Sequence, residues 1–91
     1  MLTPEKVAVV IPCFNEAEEI AALVREVQQI IPQVFVINDA STDATVAEAE
    51  RAGADVFSND RRMGKGACIL RGLKIALARG YDWALLMDGD G

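Results

Sequence analysis

The 91-residue chain contains no histidine. This absence removes the side chain that most often serves as a general base and as a ligand of transition metals. Any metal ion would have to be held by oxygen atoms, which favours Mg²⁺ or Mn²⁺. Basic residues are also few: nine Lys and Arg stand against fourteen Asp and Glu, and the net charge is −5. A face that binds the phosphate backbone of nucleic acid is therefore not expected.

Cysteines and long apolar runs are scarce as well. Cys13 and Cys68 are the only cysteines, and they form no C-x-x-C pattern. We expect both to be reduced, buried core residues of a cytoplasmic protein. No apolar run approaches the roughly 20 residues that a membrane span requires, and the N-terminus is not built like a signal peptide. Any association with a membrane is expected to be peripheral.

Hydrophobic residues, by contrast, are abundant, at 52% of the chain. Four apolar runs, "KVAVVIPC", "QVFVIN", "ADVFSN" and "YDWALLMD", are typical of buried strands, and a helical pattern separates each from the next. The order β-α-β-α-β-α-β predicts a three-layer α/β fold with a mostly parallel four-stranded sheet and helices on both faces.

The helical patterns also predict which side chains face the sheet. The first helix is expected to begin at an N-cap, Asn15, with Glu18 three residues later. One face of it carries the apolar positions Ile20, Leu23, Val24, Val27 and Ile31. The third helix, from about residue 67 to 79, is expected to direct Leu70, Leu73 and Leu77 inward.

Polar residues follow the predicted strands. The first strand ends in "PCFNE", the second in "NDAS" and the fourth in "DGD", and "GKG" precedes the third helix. Ligands of open parallel sheets bind at the carboxyl ends of the strands, so these motifs are expected to share one site. Asp88 and Asp90 are the strongest signal, because two carboxylates at one strand end repel each other unless a cation or hydrogen-bond donors compensate.

Several of these residues also have a purely structural interpretation. Glu16 could favour the positive start of the first helix, and the two glycines of "GKG" could only form a turn. The "STD" segment at 41–43 is interpreted mainly as helix caps, and the "RR" pair at 61–62 as a solvated face. Asp39 is harder to explain in this way, since caps are already supplied. The common nucleotide motifs, G-x-G-x-x-G and the Walker loop, are both missing.

Four segments together, "VAVVIPCFNEAEEI", "VFVINDASTDAT", "RRMGKGACILRGLKIALARG" and "DWALLMDGDG", resemble the N-terminal half of a family 2 glycosyltransferase. The dolichyl-phosphate mannosyltransferase-like and undecaprenyl-phosphate sugar transferase group is the most similar in character. The resemblance implies a GT-A fold whose first half binds the nucleotide of a nucleoside-diphosphate sugar. It also implies that the sugar is transferred to an acceptor such as a polyprenyl phosphate, with inversion of configuration at the sugar carbon.

The resemblance also implies roles for individual residues. Pro12, Asn15 and Glu16 would lie against the base and the ribose. Asp39 would accept a hydrogen bond from the base, and Lys65 would lie near the nucleotide. No catalytic residue is assigned.

The resemblance further implies that Asp88 and Asp90 form the D-x-D motif of the family and bind Mg²⁺ or Mn²⁺. Asp90 would be the direct ligand, and Asp88 would lie nearer the ribose or a metal-bound water. Such an ion offsets charge on the diphosphate leaving group.

This chain departs from the family pattern at three positions. Asn38 and Ala40 replace an Asp and a Gly of the usual Asp-Asp-Gly-Ser, and Arg62 replaces a frequent Asn. One charge is lost, and alanine resists the positive φ that glycine allows. These departures leave the affinity for the donor and the choice of base open.

The acceptor-binding half of the family is not found in residues 1–91. We therefore expect a donor-binding part that does not turn over alone and that forms homo-oligomers through its uncovered apolar surface. Two alternatives remain open at this point. One is a non-catalytic, self-associating nucleotide-binding module. The other is part of a haloacid-dehalogenase-like phosphatase, because "DGDG" also resembles the start of that motif.

Overall fold

The computed structural model describes residues 3–89 and confirms the predicted alternation of strands and helices. A short 3-10 helix (Pro4–Lys6) precedes the first strand. The strands are β1 (Val7–Cys13), β2 (Val34–Asn38), β3 (Asp55–Ser58) and β4 (Trp83–Leu86). The helices are α1 (Ile20–Gln28), α2 (Thr45–Ala52) and α3 (Lys65–Ala78).

The four strands form one parallel sheet in the order β3-β2-β1-β4. Cys13 pairs with Asn38, and Asn38 pairs with Ser58, so three strands end at the same level. Leu86 pairs with Val10, which places the residues after β4 beside the end of β1. The strand order reverses between β1 and β4, which is where open parallel sheets bind ligands.

Helices cover both faces of the sheet, as the predicted three-layer fold requires. On one face α1 and α2 pack over a core that includes Ile11, Val24 and Val36. On the other face α3 packs over Val10 and Ile37. The β-branched runs are buried from both sides, which explains why they show no polar alternation.

The apolar face of α1 is confirmed, but its predicted start is wrong. Ile20 and Val24 are fully buried, whereas the N-cap position belongs to Glu19, which makes no side-chain cap hydrogen bond. Asn15 does not cap the helix, because its backbone has a φ of 52° and its side-chain oxygen accepts a hydrogen bond from the loop after β2.

The predicted inward face of α3 is wrong. Its buried residues are Cys68, Gly72 and Ala76, while Leu70, Leu73 and Leu77 are 54%, 37% and 77% exposed. A Cβ on Gly72 would lie 2.2 Å from Cγ1 of Val10, so the backbone of α3 approaches the sheet too closely for large side chains. The three leucines, here called the leucine face, therefore lie on the opposite side of the helix.

β4 is less covered than the other strands. Trp83 and Leu86 are 58% and 50% exposed, and among residues 3–89 the strand pairs with β1 alone. Within the same residues, no helix is long and apolar enough to cross a bilayer.

Candidate functional site

A cleft of about 160 Å³ opens at the carboxyl ends of the strands, where the strand order reverses. It is here called the strand-end cleft. Five residues that the sequence singled out line it, namely Pro12, Glu16, Asp39, Lys65 and Asp88. They come from four separate segments, and the parallel topology brings them together. Asp90 lies outside the described residues, so its assignment as a metal ligand stays a prediction.

Asp39 is the most enclosed carboxylate of the cleft, with its side chain 5% exposed. Its Oδ1 accepts hydrogen bonds from Asn59 Nδ2 at 3.0 Å and from the N–H of Met63 at 2.8 Å. Its Oδ2 accepts from the N–H of Gly64 at 2.9 Å and from Arg62 Nε at 3.3 Å. A carboxylate offers about four acceptor directions, so Asp39 is saturated.

These hydrogen bonds keep Asp39 ionised. Burial alone would raise the pKa of the carboxyl, but the donors from Asn59, Met63, Gly64 and Arg62 outweigh it and hold that pKa well below its usual range. Asp39 therefore ties the loop before α3 to the end of β2. The predicted hydrogen bond to a base would have to replace one of the four existing donors.

Arg62 also lines the cleft, although the pair at 61–62 is interpreted from the sequence as a solvated face. Its guanidinium Cζ lies 3.5 Å from the centroid of the Phe14 ring, and its Nε donates to Asp39 Oδ2. Its side chain remains 57% exposed. No periodicity links an aromatic residue after β1 to an arginine before α3, so only the fold shows this stack.

Lys65 and Asp88 form an ion pair across the cleft. Their side chains are 62% and 56% exposed, so both remain accessible to a ligand. Lys65 is the first residue of α3, and Gly64 before it has a φ of 97°, a conformation that other residues adopt at a cost. The glycine thus turns the chain so that the lysine and the start of a 14-residue helix face the cleft.

Gly89 separates the two aspartates of the D-x-D pattern for a steric reason. A Cβ at this position would lie 2.7 Å from Cys13 Sγ and 2.9 Å from the carbonyl oxygen of Pro12. The loop after β4 therefore packs backbone-first against the end of β1. This contact fixes the position of Asp88 relative to β1.

The model of the family described as "Glycosyl transferase family 2" matches residues 8–91. The chain belongs to this family. Among curated proteins, it is 38% identical to Protein RfbJ of Shigella flexneri over 92% of this chain and 64% of that protein. It is also 38% identical to the polyprenol monophosphomannose synthase of Mycolicibacterium smegmatis, over 96% of this chain and 36% of that protein.

Solved structures agree with the predicted GT-A fold. Mannosyl-3-phosphoglycerate synthase from Rubrobacter xylanophilus is similar with a TM-score of 0.81 and 28% identity, over 94% of this chain and 31% of that one. Glucosyl-3-phosphoglycerate synthase from Mycobacterium tuberculosis, in complex with Mn²⁺, UDP and glucosyl-3-phosphoglycerate, is similar with a TM-score of 0.78 and 26% identity. That match covers 93% of this chain and 33% of that one. The chain thus spans about a third of most of these relatives and 64% of Protein RfbJ.

In this family 2 glycosyltransferase chain, Asn15 joins two loops rather than lining the cleft. Its N–H donates to Ser41 Oγ at 2.9 Å, and its Oδ1 accepts from the N–H of Thr42 at 2.8 Å. The N–H of Ala17 donates to Asp43 Oδ2 of the same loop at 3.3 Å, and the N–H of Glu16 donates to Oγ1 of Thr45, the first residue of α2, at 2.8 Å. The backbone N–H groups of residues 15, 16 and 17 are therefore used in hydrogen bonds within the chain.

The two cysteines are buried and free, as predicted. Burial, with smaller contributions from the charges of Glu16 and Cys68, raises the pKa of the Cys13 thiol to about 12. Thiolate ligation by Cys13 is therefore unfavourable near neutral pH. No group of three or more His, Cys, Asp or Glu side chains that could hold a metal ion occurs within residues 3–89.

Proposed function

We propose that residues 1–91 form the nucleotide-sugar-binding part of a GT-A domain, and that the strand-end cleft takes the nucleoside diphosphate of the sugar donor. The sugar would pass to an acceptor such as a polyprenyl phosphate. The observation that carries the proposal is that Glu16, Lys65 and Asp88, from three separate segments, meet in one cleft at the switch point of a family 2 sheet. The family match favours this function over the phosphatase alternative.

The residues present fit a divalent ion and a diphosphate. Mg²⁺ and Mn²⁺ prefer carboxylate and phosphate oxygens, and Mg²⁺ usually takes only one or two carboxylates besides phosphates and water. Asp88 is exposed at the cleft, and Asp90 is the second carboxylate of the motif. When bound, the ion would offset the negative charge of the departing diphosphate. Lys65 and the start of α3 would add positive potential beside the phosphates.

The nucleoside end would lie against the loops after β1 and β2. Pro12 and Glu16 line the cleft there. The Glu16 carboxylate would accept hydrogen bonds that the ribose hydroxyl groups donate. Asn15 would act through Glu16, because its hydrogen bonds to Ser41 and Thr42 hold the loop that presents the glutamate.

The acceptor is the finer part of the proposal. The similarity to a polyprenol monophosphomannose synthase supports a polyprenyl phosphate. Because the chain spans about a third of that relative, we propose that donor binding resides in these residues and that transfer needs a longer protein. The test is to incubate residues 1–91, and separately a longer protein that contains them, with radiolabelled nucleotide sugar and a short polyprenyl phosphate. Labelled lipid from residues 1–91 alone would contradict the division.

The deciding experiment is a calorimetric titration with UDP and with GDP, in Mn²⁺ and then in EDTA. We expect one nucleotide to bind in Mn²⁺ and to lose most of its affinity in EDTA. Binding that is unchanged by EDTA would contradict the metal assignment. A folded sample that binds neither nucleotide would contradict the donor-binding function.

Two aspartates provide a matched pair of variants for this titration. Asp88 and Asp82 have side chains that are 56% and 57% exposed, but Asp82 pairs with Lys6 away from the cleft. Asp88→Asn should weaken Mn²⁺-dependent binding about tenfold or more, because it removes a carboxylate that would accept charge-assisted hydrogen bonds from the ribose or a metal-bound water, whereas Asp82→Asn should not. Asp90→Asn should abolish the Mn²⁺ dependence.

We also propose that the chain self-associates through the leucine face of α3. The three leucines are exposed on one side of this helix, and β4 beside it is poorly covered. Large apolar side chains that are exposed together on one side of a helix favour such an interaction surface.

A further inference from the structure

Arg62 contacts the two groups of the cleft that are best suited to bind a nucleobase, the Phe14 ring and the Asp39 carboxylate. Its guanidinium Cζ lies 3.5 Å from the centroid of the Phe14 ring, and its Nε donates to Asp39 Oδ2. A nucleobase has the same two capacities, since it is planar, stacks on aromatic rings and carries ring N–H donors. Arginine is the side chain that most closely imitates this combination.

We propose that Arg62 occupies the nucleobase position of the strand-end cleft and that a bound base displaces it. This inference rests on the proposed donor-binding function. Arg62 then lowers the affinity for the base by competition, because the base can contact Phe14 and Asp39 only after the arginine side chain has moved away from them.

Arg62 is the donor to Asp39 that can leave without disturbing the fold. Its hydrogen bond, at 3.3 Å, is the longest of the four, and its side chain is 57% exposed. The donors from Met63 and Gly64 are backbone N–H groups of the loop that leads into α3. Asn59 is held in turn by Arg71, whose Nη1 donates to Asn59 Oδ1 at 2.7 Å.

The same geometry explains why the base cannot bind beside the arginine. The Asp39 side chain is only 5% exposed, and all four of its acceptor directions are used. A ring N–H can therefore reach Oδ2 only along the direction that Arg62 Nε uses. Three donors remain on Asp39 after the exchange, so the loop before α3 stays anchored.

The test compares Arg62→Ala with the natural chain by calorimetric titration in Mn²⁺. The probes are UDP and GDP, which carry a base, and inorganic pyrophosphate, which does not. Removing an exposed cation–π contact and a partly exposed ion pair should tighten nucleotide binding roughly threefold to thirtyfold relative to pyrophosphate. The comparison with pyrophosphate corrects for the loss of one positive charge near the phosphates.

Two further variants make the result specific. Arg61→Ala removes the neighbouring charge, but Arg61 lines a different cavity with Asp60 and Arg71, so the ratio of nucleotide to pyrophosphate affinity should not change. Arg62→Gln keeps a polar side chain without the cationic plane and should also tighten nucleotide binding. It provides a second test if the alanine variant unfolds.

The outcomes separate this inference from the proposed function. If the natural chain binds a nucleotide and both Arg62 variants bind it equally or more weakly relative to pyrophosphate, the competition is wrong and only this inference falls. If neither the natural chain nor the variants bind any nucleotide, the donor-binding function falls, and this inference falls with it.

Discussion

Gly72 of α3 and Val10 of β1 lie closer together than any side chain at position 72 would allow. A Cβ on the glycine would stand 2.2 Å from Val10 Cγ1 and 3.3 Å from Ile37 Cγ1. This contact seats α3 on the sheet. Since α3 begins at Lys65, it also fixes where the lysine enters the strand-end cleft.

Gly72→Ala should therefore destabilise the fold. A Cβ only 2.2 Å from another carbon is a severe clash, so the cost should lie toward the upper end of the ~1–3 kcal/mol typical of overpacking and outweigh the gain of roughly 0.5–1 kcal/mol that alanine brings to a helix interior. Unfolding in urea, followed by circular dichroism, measures the difference.

Gly66 provides the control within the same helix. Apart from its chain neighbours and the backbone of its own helical turn, no heavy atom among residues 3–89 lies within 4 Å of a Cβ built there, so Gly66→Ala should be neutral or stabilise by up to about 1 kcal/mol. Equal stability of the two variants would show that α3 does not approach β1 as closely as described.

Ala40 adopts a left-handed backbone conformation with a φ of 62°. This conformation costs a residue with a Cβ about 1–2 kcal/mol, whereas glycine adopts it freely but loses more entropy on folding. Ala40→Gly should therefore raise the free energy of unfolding by about 0.5–1 kcal/mol. Ala47→Gly, on the exposed side of α2, should instead lower it by about 1 kcal/mol. A lower free energy of unfolding for Ala40→Gly would show that the left-handed conformation of Ala40 is not strained.

Asp39 should make the fold sensitive to acid. Its pKa is lower in the folded chain than in the unfolded one, so the ionised carboxylate stabilises the fold fully above the unfolded pKa, near 4. As pH falls below about 4, the unfolded state takes up the proton first, and this contribution declines until the lower folded pKa is passed. Urea unfolding at a series of pH values measures the slope.

The variant Asp39→Asn should be less stable at neutral pH and should depend less on acid. Its amide would present N–H donors to groups that are themselves donors, at a cost of about 1–3 kcal/mol. Asp82→Asn, at an exposed surface pair, should keep the slope of the natural chain. If Asp39→Asn keeps that slope as well, Asp39 is not the group responsible.

Much of the fold could be predicted because its signals are local. The β-branched runs predict strands that are buried on both faces, and parallel strands place their polar ends on one edge. The cleft residues Glu16, Lys65 and Asp88 therefore follow from sequence and topology together. Asn15 follows β1 at this edge, but its hydrogen bonds join it to the loop after β2, so its contact with a base or ribose stays a prediction.

What the sequence could not predict depends on contacts between distant segments. Leucines are more apolar than Cys68, Gly72 and Ala76, so the hydrophobic periodicity of α3 predicts that the leucines are buried, which is the wrong face of the helix. A signal was present, because small residues recur every fourth position, which is typical of a helix that packs closely. The stack of Arg62 on Phe14 had no such signal, since each residue alone is typical of a surface loop.

The leucine face of α3 is the surface through which copies of the chain are proposed to associate. Leu70 and Leu77 are 54% and 77% exposed, so replacing both with glutamate should leave the core intact while placing charge on the proposed contact. We expect light scattering to report an oligomer for the natural chain and a monomer for the double variant, with unchanged circular dichroism. Ile30, which is 73% exposed after α1, is the matched control, and Ile30→Glu should keep the oligomer. A natural chain that is monomeric, or a double variant that keeps its mass, would show that copies of this chain do not meet through α3.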